Sequence, residues 1–316
     1  MLGRPAIAVL IPCYNEATTI AKVVGDFRRE LPDATVYVYD NNSSDVSAAL
    51  AQAAGAVVVS EHRQGKGFVV QSMFCDVVAD VYVMVDGDDT YPATSVRQLI
   101  APVLAGEADM VVGNRLVEFD EGSYRGLHVF GNHLVVNSIN FIFKAKMNDV
   151  MSGYRAFNRK LVVNVPVISR GFELETELTL QTLYRNFTIT EVPIRYGTRP
   201  SGSFSKLSTF RDGARVLLKI VDIFKAYRPL LFFGLIAAVL MLVGLGLGSI
   251  PIREYFDTGR IARFPTAILA AALEIVGMVA MSCGIVLDSI NHHFRESAQL
   301  IRQTMPSKES RWTPSA

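Results

Sequence analysis

Two rhythms of hydrophobic and polar positions divide this chain. In the first, short continuous apolar runs alternate with stretches of helical period. Residues 6–11 read as a buried strand, 18–30 as a helix, 35–39 as a strand, 46–54 as a helix and 56–59 as a strand. Gly65-Lys66-Gly67 opens a helix expected to run through residue 79. Residues 81–85 form the next strand, a helix follows Tyr91-Pro92, and residues 109–112 form a strand ending in Gly113-Asn114-Arg115. Regular alternation predicts an α/β fold, a mostly parallel sheet with helices on both faces.

The second rhythm has no polar face at all. Residues 229–252 carry no charge, and residues 264–287 are broken only by Glu274. Each run can cross roughly 30 Å of hydrocarbon, and soluble helices rarely stay apolar all round over such a length. The connector is too short to be a domain, so the two form a transmembrane hairpin. Lys206, Arg211, Arg215, Lys219, Lys225 and Arg228 precede it, and Arg295, Arg302, Lys308 and Arg311 follow it. The connector offsets Arg253, Arg260 and Arg263 with Glu254 and Asp257. Basic excess at the outer ends places both termini, and the first part of the chain, on the cytoplasmic side of a cell membrane. Glu274 is expensive against lipid and is expected to face the partner helix, another copy of the chain or headgroups.

Ahead of the hairpin, Val216, Leu217, Ile220, Val221 and Phe224 fall at helical spacing, with Arg215, Lys219, Asp222 and Lys225 between them. That is an amphipathic, mostly basic helix suited to a membrane interface; packing on the soluble part is the alternative. The expected organisation is therefore 1–206 catalytic, 207–228 juxtamembrane, 229–290 membrane hairpin and 291–316 tail. The hairpin is compatible with a homo-oligomer.

Composition narrows the chemistry. Of 316 residues 50% are hydrophobic, and 31 Lys and Arg against 30 Asp and Glu leave a net charge of +1, which gives no nucleic-acid signal. Cys13, Cys75 and Cys283 are far apart, which argues for reduced thiols rather than disulfides or zinc. The five His residues make no trusted metal-ligand spacing. The first apolar run meets Pro12-Cys13-Tyr14-Asn15-Glu16 without a cleavage pattern, so it reads as a strand and not a leader.

In an open parallel sheet, functional side chains collect at the carboxyl ends of strands. Here those ends carry Asn15-Glu16, Asp40, Asp86-Gly87-Asp88 and Arg115, which points to one crevice lined with carboxylates. There is no GxGxxG and no GxxxxGK[ST]. Two carboxylates one residue apart can share a hard cation, Mg²⁺ or Mn²⁺, which prefers oxygen ligands and keeps positions open for phosphate oxygens. Such a pair standing alone would read as a solvated turn; its setting in this series of loops argues for the metal.

The set Ile11-Pro12-Cys13-Tyr14-Asn15-Glu16, Asp40-Asn41-Asn42-Ser43-Ser44-Asp45, Gly65-Lys66-Gly67 and Asp86-Gly87-Asp88 resembles the inverting GT-A glycosyltransferases of family 2. With Gly113-Asn114-Arg115, Ser152-Gly153-Tyr154-Arg155, Phe172-Glu173-Leu174-Glu175 and Glu191-Val192-Pro193-Ile194, the chain is similar to the polyprenyl-phosphate branch. That branch holds dolichol-phosphate mannose synthases and undecaprenyl-phosphate glucosyltransferases. The resemblance implies a nucleotide-sugar donor, expected to be UDP-linked, and an undecaprenyl or dolichyl phosphate acceptor. It assigns Pro12, Tyr14, Glu16, Asp40 and Lys66 to the nucleotide-sugar, Asp86 to ribose and diphosphate, and Asp88 with Asp86 to the cation. Arg115, Arg125, Arg199, Ser205 and Lys206 are implied for donor and acceptor phosphates. Glu175 is the implied acid of the catalytic region, with Glu173 second and a solvated helix face as the alternative.

Two departures stand out. Many relatives read Asp-x-Asp-Leu-Gln in the metal loop, where Asp89-Thr90 stands here; Thr90 replaces a Gln able to contribute to the metal shell, and Asp89 is the candidate substitute. Processive relatives carry Gln-x-x-Arg-Trp, whereas Arg311-Trp312 lacks the Gln and lies beyond the hairpin. A family member acting on a saccharide acceptor, and a non-catalytic membrane scaffold binding nucleotide-sugar, remain the rival readings.

Overall fold

A computed structural model of the chain describes residues 4–119, 126–169, 171, 173–197 and 221–304. The chain divides into two units, Met1–Gly213 with Ser307–Ala316, and Ala214–Pro306.

The first unit is built on β1 (Ile7–Cys13), β2 (Thr35–Asp40), β3 (Val57–Ser60), β4 (Val81–Met84), β5 (Met110–Phe119), β6 (Arg155–Asn158) and β7 (Ile189–Tyr196). Their order in the sheet is β3-β2-β1-β4-β6-β5-β7. β1 pairs in parallel with both β2 and β4, β2 with β3, and β5 with β7, while β6 runs antiparallel between β4 and β5. The expected mostly parallel α/β sheet is thus present, with one reversed strand inside it. Val9, Leu10 and Ile11 are fully buried, as a strand covered on both faces requires. The helices are α1 (Ile20–Glu30), α2 (Ser47–Ala53), α3 (Lys66–Asp76), α4 (Val96–Leu104), α5 (Gly126–Phe143), α6 (Arg159–Asn164) and α7 (Leu174–Tyr184). α1 buries Ile20, Val23, Val24 and Phe27, the i, i+3, i+4, i+7 stripe of an amphipathic helix.

Two boundaries differ from the sequence reading. α3 stops at Asp76 instead of residue 79, because Val77 turns extended and the Tyr82 hydroxyl, which donates to Val77 O and accepts from Ala79 N–H, holds the turn. β5 does not end before Gly113. β7 continues as its parallel partner through Asn114↔Pro193 and, past an irregularity, Glu118↔Arg195. Arg115 therefore sits within a strand instead of at its end.

β1 has β2 on one side and β4 on the other, so the chain leaves it in opposite directions for its two neighbours. The crevice beyond the carboxyl ends of these strands is where ligands bind in such sheets.

The second unit holds helical residues 221–227, then α8 (Pro229–Thr258) and α9 (Phe264–Thr304). α8 runs on through part of the expected connector and ends at Gly259, whose φ of 67° is the left-handed conformation glycine adopts without penalty. α9 continues well past residue 290. The two helices meet along small residues seven apart: Ala237 and Gly244 on α8, and Ala270, Gly277 and Gly284 on α9. A Cβ placed on Gly277 would lie 3.4 Å from Ala237 O, one on Gly284 3.4 Å from Pro229 O, and one on Gly244 3.3 Å from Ala270 O. Glu274 faces this seam, its Oε1 2.6 Å from where a Gly244 Cβ would stand. Leu235, Val239, Leu242, Ile275, Val279 and Ile285 point outward and are exposed. Both helices have the length and composition to cross a membrane.

Candidate active site

Two asparagines knit the first two loops of the crevice. Asn15, at a φ of 54°, donates its N–H to Ser43 Oγ (2.9 Å) and accepts the Ser44 N–H on Oδ1 (2.8 Å). Glu16 N–H donates to Ser47 Oγ at 2.8 Å. Asn41 donates from Nδ2 to the carbonyls of Glu61 and Arg63, at 2.8 Å each, and accepts Gly65 N–H on Oδ1 at 2.8 Å. Gly65, with φ 137°, takes a backbone form that a side chain rarely allows, and the next residue, Lys66, begins α3. Asp40 is 8% exposed. Its Oδ2 accepts Ser43 N–H at 3.1 Å, while Oδ1 is buried with no hydrogen-bond partner among the described residues. A buried, unsatisfied carboxylate oxygen is costly, and a ligand N–H or O–H would relieve it.

The loop after β4 holds three acidic side chains on three different tethers. Lys66 Nζ donates to Asp86 Oδ1 (2.5 Å) and to Glu175 Oε1 (2.6 Å), joining α3, the β4 loop and α7. Burial by itself would lower the Lys66 ammonium, but the carboxylates of Asp86 and Glu175 overcome it and hold it above the usual lysine range. Gly153 lies so close that any Cβ there would strike the Asp86 carboxylate. Asp88, 4% exposed, accepts the Thr90 hydroxyl (2.6 Å) and the Thr90 N–H (3.3 Å) on Oδ1. Asp89, at a φ of 58°, pairs with Lys22 at 2.6 Å. Thr19 Oγ1 donates to Gly87 O at 2.7 Å and ties the loop to α1.

On the far side, Arg115 makes a two-pronged pair with Asp149, Nε to Oδ2 at 2.7 Å and Nη2 to Oδ1 at 2.9 Å. Its guanidinium also lies 5.4 Å from the centre of the Tyr196 ring, within cation–π range. Glu191 accepts the N–H groups of Asn148 and Asp149, each at 2.8 Å, and so fixes the segment that presents Asp149. Arg155 is wholly buried behind it, donating to Ser152 O (2.8 Å), Val150 O (2.7 Å) and Thr179 Oγ1 (2.9 Å). Burial brings its guanidinium down to about 10, with Glu175 and Asp149 acting the other way.

Of the expected residues, Pro12 pairs with Tyr39 at the end of β1, and Tyr14, Glu16, Asp40, Lys66, Asp86, Asp88 and Glu175 lie on the loops and helix starts described above. Arg125, Arg199, Ser205 and Lys206 lie outside the described residues. Glu175 is 5% exposed and Glu177 is buried, capping Ile168 N–H and Ser169 N–H, so the acidic run of α7 is not a solvated face. Glu173 is exposed. Asp89, the candidate substitute metal ligand, is the Lys22 partner. Asp149, Tyr196 and Lys22 were not picked out by the sequence. Asp149 lies far from Arg115 along the chain, and no local pattern marks the pair.

Among the described residues no group of three or more His, Cys, Asp or Glu side chains converges as a metal-binding cluster. Asp89, the third carboxylate of the β4 loop, is held by Lys22, so Asp86 and Asp88 are the pair of carboxylates considered there. That set suits a hard cation completed by oxygens of a bound phosphate ligand.

The Glycosyl transferase family 2 profile matches residues 8–165. The chain is 34% identical to Glycosyltransferase AglJ of Haloferax volcanii over 94% of this chain and 98% of that protein. It is 30% identical to a dolichyl-phosphate hexose transferase of the same organism, over 69% of this chain and 93% of the relative. Among solved structures, glucosyl-3-phosphoglycerate synthase from Mycobacterium tuberculosis, in complex with Mn²⁺, UDP-glucose and phosphoglyceric acid, aligns with a TM-score of 0.56 at 23% identity. The alignment covers 70% of this chain and 79% of that one.

Proposed function

The chain belongs to glycosyltransferase family 2, and from that premise we propose that it transfers a sugar from a UDP-linked donor to a polyprenyl phosphate, with inversion, giving a lipid-monophosphate-linked sugar. The observation that carries this reading is the meeting of Lys66, Asp86 and Glu175 at the carboxyl edge of β4, in a chain that also holds two helices fit to cross a membrane. A relative named as a dolichyl-phosphate hexose transferase supports the acceptor class.

In this reading the orphaned Asp40 Oδ1 accepts from the nucleobase, with Pro12, Tyr14 and Glu16 lining the nucleoside. Lys66 neutralises Asp86 and Glu175 and reaches the donor's diphosphate end. Glu175 acts by holding Lys66. Asp88, with Asp86, would hold Mg²⁺ or Mn²⁺, which when bound offsets the charge of the departing diphosphate. Arg115, oriented by Asp149 and Tyr196, faces phosphate, and Arg125, Arg199, Ser205 and Lys206 are proposed to share that task.

A phosphate monoester already carries most of its second negative charge near neutral pH, so the acceptor needs no strong base. Its oxygen attacks the anomeric carbon as the bond from that carbon to the diphosphate oxygen breaks, and the electron pair leaves on the nucleoside diphosphate. What the chain must supply is approach of two anions in line, and cationic side chains do that. The two apolar helices would keep the chain at the membrane that holds a lipid phosphate, and the basic flanks favour the cytoplasmic side.

The test is incubation of the detergent-purified chain with UDP-, GDP- and dTDP-sugars, undecaprenyl phosphate and Mn²⁺ or Mg²⁺, followed by lipid mass spectrometry. A sugar-phosphate-lipid lost in Asp88→Ala supports the reading. Transfer to an added saccharide alone overturns the acceptor, and nucleotide binding without transfer overturns catalysis.

A further inference from the structure

The Ser152-Gly153-Tyr154-Arg155 motif ends in a charged side chain with no exposure. A buried cation is costly unless its donors are satisfied, and none of the hydrogen bonds of Arg155 goes to a carboxylate. Nε donates to Ser152 O at 2.8 Å, Nη2 to Val150 O at 2.7 Å and Nη1 to Thr179 Oγ1 at 2.9 Å. Its backbone is pinned independently, paired with Met84 of β4 and Val112 of β5. The guanidinium is thus a brace from the sheet to residues 150–152 and to α7. Both ends of the braced segment meet the crevice. At one end Asp149, itself wholly buried, carries the two-pronged pair with Arg115 and accepts Met151 N–H at 3.1 Å. At the other, Gly153 lies against the Asp86 carboxylate and donates its N–H to the Tyr91 hydroxyl at 3.0 Å. On α7, Thr179 Oγ1 passes the link on, donating to Glu175 O at 3.1 Å.

From this we infer that Arg155 is a positioning residue for a bound phosphate: without reaching a ligand itself, it keeps Asp149 at Arg115 and Gly153 at Asp86, and so sets the spacing of the two sides of the crevice that hold a phosphate of the donor or of the acceptor. The inference rests on the phosphate roles proposed for Arg115 and Asp86. Reaching three acceptors on two elements takes the planar five-donor fork of an arginine, where a lysine brings one nitrogen. Arg155→Lys therefore keeps the charge and loses the fork, and Arg155→Met loses both. Thr179→Val removes one acceptor and leaves Arg155 in place.

The experiment compares the unaltered full chain in detergent with these three variants. Hydrogen exchange read by mass spectrometry follows the peptides over residues 149–155, with β1 as internal reference. Calorimetry with Mn²⁺ present gives the Kd for UDP, and lipid mass spectrometry gives KM and kcat for undecaprenyl phosphate. Thermal unfolding selects the folded variants, and Thr179→Val, the mildest change, keeps the test open if both arginine variants unfold. The expected result is faster exchange at 149–155 with β1 unchanged. Alongside it, Kd for UDP or KM for undecaprenyl phosphate rises roughly tenfold, the scale of one hydrogen bond to a charged group, and less in Arg155→Lys than in Arg155→Met. A rise in the Kd for UDP assigns the held phosphate to the donor, and a rise confined to the KM assigns it to the acceptor. If 149–155 stays protected, or loosens while both constants hold and only the active fraction falls, Arg155 is a structural support and the inference is overturned. If the unaltered chain binds UDP but transfers nothing, the transferase reading fails and the exchange and UDP measurements alone decide the inference. If it neither binds UDP nor transfers, both fall.

Discussion

Glu175 in the crevice and Glu274 in the helical hairpin are the same side chain in two regimes. Glu175 is nearly buried and bonded to Lys66, whose second partner is Asp86. Glu274 presses Oε1 against Gly244, where that oxygen is buried with no hydrogen-bond partner among the described residues. In the first unit, charge is arranged by opposing charge, and the elements meet because β-branched and aromatic side chains fill the space between them. In the hairpin, apolar side chains point outward and the helices meet where side chains are smallest. The difference follows from the solvent each surface suits. Water rewards burying Val and Ile, whereas lipid tails are as apolar as Leu, so association there relies on close backbone approach.

The sharpest way to break this contrast is Lys66→Met. It leaves Asp86 and Glu175 facing each other without their cation. Truncating one partner of a buried ion pair costs about 3–5 kcal/mol of stability, so the unfolding temperature should fall, and losing the cation at the donor's diphosphate should lower sugar transfer by about 100-fold. Transfer at the unaltered rate would remove Lys66 from the site. Next, Gly277→Leu drives a side chain into Met241 and Ala237 O. Overpacking of this kind costs about 1–3 kcal/mol and should weaken the hairpin's resistance to unfolding in SDS. An equal effect from Gly234→Leu, where a Cβ has no neighbour within 4 Å, would refute the seam.

A smaller effect is expected in acid. Arg63 and Ser72 hold the Glu61 carboxyl down to about 2, from an ordinary 4.5. A depressed carboxyl contributes stability that is present above 4.5 and is lost as pH falls towards 2. Urea midpoints should drop between pH 5 and 3 by the equivalent of about 1 kcal/mol, since Arg63 is half exposed and screened. In Glu61→Gln that contribution to the slope should be missing. The smallest effect concerns Cys13, whose thiol is pushed up to about 12 by burial and then by Asp40. At pH 8 iodoacetamide should modify the exposed Cys75 and spare Cys13, as peptide mass mapping would report.

Much of the first unit was legible because local chemistry and global position agree. The apolar run of β1 ends where Asn15 and Glu16 begin, and the run of β4 ends at Asp86, so the crevice could be read from punctuation alone. Position in space could not. Nothing near Arg115 announces Asp149, because the pair is made by β6 folding back between β4 and β5. The reversed strand also escaped notice, since four residues beginning with Arg155 carry no direction in their pattern. Thr90 looked like a missing ligand, and only its bond to Asp88 Oδ1 gives it a task. In the hairpin, the apolar lengths were plain, while the seven-residue spacing of small residues acquired meaning only once Ala237 O and Gly277 were seen together.

The placement of β6 also sets an order in time. The sheet closes only when residues 155–158 have slotted between strands made far earlier and β7 has joined β5, so its pairings are long-range and slow to form. Among the described residues, the last strand ends at Tyr196 and the first helix long and apolar enough to cross a membrane begins at Pro229. A ribosome adding roughly 5–20 residues each second takes on the order of seconds to make the stretch between them. Every described strand of the sheet is therefore synthesised before the first helix fit to cross a membrane, and strand pairing has a head start over completion of the helical hairpin.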